Sequence, residues 1–155
     1  MADGNDFYRW VKIKNGIASV AIVGLDVIPN STGENKIIEG YSGKGFSSQG
    51  YIEEVPENGY NAWKLAARRG LEYGFSLVDT CWTVHVHKIQ GRIYTDTTAT
   101  IAGYTVLRAF LNKIDFQLDS KQVDVLENFV LSSWVTPFRE LIPDFFNLTF
   151  TEYSE

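Results

Sequence analysis

The side chains best suited to chemistry crowd into one short stretch, where Asp79, Cys81, His85 and His87 fall on alternate positions. Alternation puts residues on one face of a strand, and thiolate, imidazole and carboxylate are the donors that zinc takes. Same-face residues of a single strand project in parallel, so Cys81 and His85 cannot close a tetrahedral site without a second element. No metal is expected. Nucleophilic catalysis needs a hydroxyl or thiol beside a base, and no motif surrounds any serine or Cys81. His85 and His87 alone do not define an active site, so a non-enzymatic protein without a cofactor is expected.

Phosphate binding is the other chemistry to weigh. The stretch Ser42 to Gly50 carries Gly43, Gly45 and Gly50 with three serines, and glycine-rich backbone can wrap a phosphate where it opens a helix. Here Tyr51 to Val55 intervenes before Pro56, so a flexible loop is the expectation. Residues Gly40 to Phe46 also lack the Gly-x-x-x-x-Gly-Lys-Ser/Thr arrangement of a phosphate loop. No bound nucleotide is expected.

The elements around these residues follow from pattern. Alternation over Phe7 to Ile13, the turn pair Asn15-Gly16 and the β-branched run Ala18 to Ile28 predict a hairpin. A short third strand is predicted over Lys36 to Gly40. Tyr60, Trp63, Ala67 and Leu71 share a helical face, with Gly74 as the C-terminal stop. Ser76 to His87 then reads as a strand with Val78, Trp82, Val84 and Val86 inward, ending in a turn at Gln90-Gly91-Arg92. Asp96-Thr97-Thr98 can cap a second helix reaching Asn112, and Asp119 with Gln122 forms a capping-box pattern for a third. Trp134 to Tyr153 is rich in aromatics and is expected to finish the core, with Asn147 to Tyr153 as an extra strand. Separate helices and strands make the class α+β.

Composition sets outer bounds. The 155 residues are 45% hydrophobic and 14% aromatic, enough for one domain with a core, and 21% charged, which is not the balance of a disordered chain. A net charge of -5 repels phosphate backbones, so any nucleic-acid contact must come from a local cluster. A lone cysteine fits a reducing compartment, and the cytoplasm is expected. The acidic start, Met1 to Asp6, is unlike a signal peptide, and the apolar run Ile17 to Ile28 is broken by Ser19 and Asp26, so no membrane association is expected.

Three segments carry a family likeness. Val23-Gly24-Leu25-Asp26-Val27-Ile28-Pro29, with Gly33 beyond it, resembles the Val-Gly-Leu-x-Val-x-Pro-x-x-x-Gly of the tetracycline ribosomal protection proteins. Gly70 to Asp79 is similar to the Gly-x-x-x-Gly-Phe-x-Val-Val-Asp of elongation factor G, and Asp96 with Ile101-Ala102-Gly103 resembles the opening of that family's next helix. The likeness runs from Ala18 to Lys113. It implies the fourth domain of these translation factors standing alone over residues 7–113, followed by a C-terminal helical and aromatic extension over 114–155. It also implies the fold of the second domain of small-subunit ribosomal protein five, a four-stranded sheet with two helices on one face.

In those factors two loops form a tip that enters the ribosome. Here the first shrinks to Lys14-Asn15-Gly16-Ile17, and the second, Lys88 to Tyr94, has no histidine. The implied fold gathers Lys12, Lys14, Lys88, Gln90, Arg92 and Tyr94 at one end of the sheet, a basic and aromatic cluster suited to phosphate contact and base stacking. Ribosome, RNA or a protein partner is the implied target. The alternative expectation is self-association through the aromatic segment Trp134 to Phe150.

Overall fold

The computed structural model describes residues 7–48, 51–93, 95–135 and 140–153. β1 (Phe7–Lys14) and β2 (Ile17–Pro29) form an antiparallel hairpin closed by Asn15 and Gly16, both at positive φ. That backbone matches the twist of the flanking strands and is why an Asn-Gly pair serves there. β2 pairs antiparallel with β5 (Trp82–Gly91), whose outer edge is shared by two short strands. β3 (Lys36–Glu39) runs parallel along the first half of β5, and β4 (Glu53–Glu54) antiparallel along its end. The result is a mixed five-stranded sheet rather than a four-stranded one, in the order β1-β2-β5-β3 with β4 beside β5.

Two sequence expectations are corrected in this region. Gly74 does not end the first helix: α1 runs Asn61–Ser76, and the Leu77 amide closes it on the Gly74 carbonyl. The strand therefore begins at Trp82, not Ser76, and it continues past His87 because Lys88, Ile89 and Gln90 pair with β2 and Gln90 and Gly91 with β4. The turn falls after Gly91, where the Arg92 carbonyl accepts from the amides of Thr95, Asp96 and Thr97. A bulge at His87, where the register moves from Leu25↔Val86 to Gly24↔Lys88, lets Val84, Val86 and Ile89 all face inward despite their spacing.

α2 (Ala99–Lys113) packs on β1, β2 and β5 with Ile101, Tyr104, Leu107 and Leu111 buried, and the Thr98 side chain caps its first turn through the Ile101 amide. α1 packs chiefly on α2, and its Arg68 reaches Glu39 of β3 at 2.6 Å. The crossing is tight: a Cβ at Gly70 would run into the Gly103 carbonyl, and one at Gly103 into the Ala66 carbonyl. Backbones meet there without side chains between them, so the glycines at these positions serve close helix approach.

α3 (Ser120–Leu131) opens with the expected capping box, Asp119 accepting from the Gln122 amide and Gln122 from the Asp119 amide. A 3-10 turn, Ser132–Val135, follows it. The end of the chain forms a separate antiparallel hairpin of β6 (Leu141–Asp144) and β7 (Thr149–Glu152). Leu126, Phe129, Val130, Ile142 and Phe145 join the same core as the sheet and α2. Phe146 and Leu148 stay outside, 59% and 38% exposed. The architecture is α+β, a mixed sheet with three helices, and among the described residues no helix is long and apolar enough to cross a membrane.

Candidate functional site

α2 packs on one face of the sheet, and Phe7, Arg9, Val11 and Ile13 of β1 are exposed on the other. Inward positions of β2 are Ala21, Val23 and Leu25, so the outward rung at the far end of β5 is Arg9, Ile22, Gln90 and Glu54, one residue from each of four paired strands. Around it lies a cleft of about 220 Å³ lined by Arg9, Gln90, Arg92 and Asp96 together with Val20, Ile22 and Ile52. Gln90 donates from Nε2 to Glu54 Oε1 at 2.9 Å. Lys88 reaches the same carboxylate oxygen at 3.1 Å, with its ammonium 4.7 Å from the centre of the Phe7 ring.

Arg92 pairs with Asp96 across the turn that leads into α2, and its amide donates to Thr97 Oγ1 at 2.9 Å. The first turn of α2 starts just beyond, and a helix N-terminus adds positive potential on this side. Arg9 is exposed and makes no ion pair among the described residues. The Arg9 guanidinium beside aliphatic side chains can meet a phosphate or a flat ring, next to an Arg92 already paired with Asp96, and the Gln90 amide can hydrogen-bond an edge.

The other expected members lie elsewhere. The Lys12 level of β2 is Ser19 and the Lys88 level is Gly24, five residues apart, which is roughly 17 Å at the rise of an antiparallel strand. Lys12 points to the helix side and pairs with Glu127 of α3 at 3.2 Å. Lys14, at the hairpin tip, lines a recess of about 300 Å³ with Ile17, Ser19 and Trp134. Tyr94 lies outside the described residues. The hairpin simply outruns β5, so the two loops end at different heights and their cations divide among Glu54, Asp96 and Glu127.

Arg9 was not among the residues expected at the site, because its place beside Gln90 depends on the register of two strand pairs. The sequence pattern also did not reveal a buried polar group under β1. Glu127, 7% exposed, accepts at Oε2 from Trp10 Nε1 at 3.1 Å, Tyr104 OH at 3.0 Å and Arg108 Nη1 at 3.2 Å. Arg108 Nη1 also donates to Tyr104 OH at 2.8 Å. Burial pushes the Tyr104 phenol well above its ordinary range, against the opposing pull of Arg108.

On β5, the His85 and His87 rings meet edge to face at 5.9 Å, and His87 Nε2 lies 3.9 Å from Asp26 Oδ2. Among the described residues no three His, Cys, Asp or Glu side chains come together as metal ligands. No protein-family model matches the chain, and no curated protein matches it.

Proposed function

We propose that this chain is a non-enzymatic binding module related to the fourth domain of elongation factor G and the ribosomal protection proteins, contacting RNA through the end of its sheet. The observation that carries the reading is the cleft where exposed Arg9 lies with Gln90, the Arg92–Asp96 pair and the aliphatic side chains of Val20, Ile22 and Ile52. With a net charge of -5 the whole molecule does not attract RNA, so recognition rests on this local group of cations and on stacking. The order hairpin, third strand, α1, β5, α2, with α2 on one sheet face, supports kinship with the second domain of ribosomal protein five. So do the glycines of the family-like segments at the α1–α2 crossing. A cytoplasmic setting follows from a ribosomal partner.

The test is fluorescence anisotropy of a labelled single-stranded RNA at two salt concentrations. Binding that weakens with salt and falls at least tenfold in Arg9→Ala supports the module; equal binding by wild type and variant contradicts it.

A second reading has its own observation. Val125, Phe146 and Leu148 are exposed around a groove of about 320 Å³ that also includes Tyr73 and Phe145, and contiguous exposed apolar surface marks association sites. Self-association through it is lost in a Phe146→Ser, Leu148→Ser protein if this reading holds, as sedimentation velocity would record.

A further inference from the structure

The polar group under β1 opens onto a second recess, of about 220 Å³, lined by Tyr8, Arg108, Leu111, Asn112, Phe116 and Leu118, with Gln117 at its rim. Charge does not balance there. Lys12 and Arg108 are both paired to the single carboxylate of Glu127, leaving one positive charge in excess. A guanidinium has five N–H donors, and the bonds of Arg108 to Tyr104 and Glu127 both come from Nη1. Its Nε and Nη2 hydrogens have no acceptor among the described residues. Nor do the side chains of Tyr8, Asn112 and Gln117 make a hydrogen bond among them. Burial disfavours the charge on Arg108, yet Tyr104, Tyr8 and Glu127 together hold it ionised.

We propose that this recess binds a small carboxylate, its oxygens on the free edge of the Arg108 guanidinium and the Tyr8 hydroxyl, with the Asn112 and Gln117 amides beside it. A guanidinium edge matches the two oxygens of a carboxylate, and the volume admits only a few heavy atoms. Two sources share this chemistry: a free short-chain acid, and the C-terminus of a peptide.

The site is tested by two-dimensional NMR of the Arg108 Nε–H and the Asn112 and Gln117 side-chain amides. Sodium propionate, a short peptide ending in leucine, its C-terminally amidated form, inorganic phosphate and propylammonium are titrated in turn. Saturable shifts are expected with propionate, with the free-acid peptide or with both, and which of them binds identifies the source. Propylammonium and the amidated peptide should leave the resonances unmoved. Arg108→Gln should abolish saturation. Because that change also strips a partner from Glu127, Tyr8→Phe serves as the second variant and should weaken binding about fivefold, the loss of one hydrogen bond. No saturable shift with either carboxylate, unchanged affinity in both variants, or equal binding of phosphate would overturn the proposal.

Discussion

Carboxylates do two different jobs at the residue scale in this protein. Glu127 is surrounded by donors from two elements and ties β1 and α2 to α3. Glu140 has the opposite surroundings: burial is the largest influence on it and pushes its carboxyl above the ordinary range, with the Ala99 amide and Trp63 pulling the other way. A raised folded-state value means the native protein holds that proton more tightly than the unfolded chain. Stability from Glu140 is therefore complete below about pH 4.5 and is lost as pH rises through the native value. Glu140→Gln should flatten the fall in stability over that window and leave the acid side unchanged, as urea denaturation across pH would measure.

Element by element, local signals were the legible ones. The Asn15-Gly16 turn, the Thr98 cap and the Asp119 capping box each lie within a few residues of what they control, and the hairpin, α2 and α3 follow from them. Gly74 misled because a glycine can stop a helix or let another helix approach, and only the partner helix decides which. The His87 bulge and the shared edge of β5 were equally hidden, since both are relations between strands distant in sequence. The same holds for the candidate site: Gln90 and Arg92 were visible as turn residues, but Arg9 joins them only through register. The α1–α2 crossing gives a sharp test at this scale. Gly103→Ala places a methyl against the Ala66 carbonyl, and should cost about 1–3 kcal/mol as overpacking, lowering the urea midpoint without changing the slope.

Across the whole molecule, the distribution of charge matters more than its sum. The net charge of -5 opposes any polyanion, while Arg9 places a cation on the open sheet face beside Arg92, which is itself paired with Asp96. Lys88 is held by Glu54 and Lys12 by Glu127, so neither gives its full charge to a ligand, and a small number of contacts should set the salt dependence. The most direct test is co-sedimentation with ribosomes at low and near-physiological salt, comparing the wild type with an Arg9→Ala, Arg92→Ala protein. Pelleting of the wild type that survives physiological salt and disappears in the variant is the predicted result; pelleting by both proteins alike, or by neither at low salt, would contradict a ribosome-binding module that works through this end of the sheet.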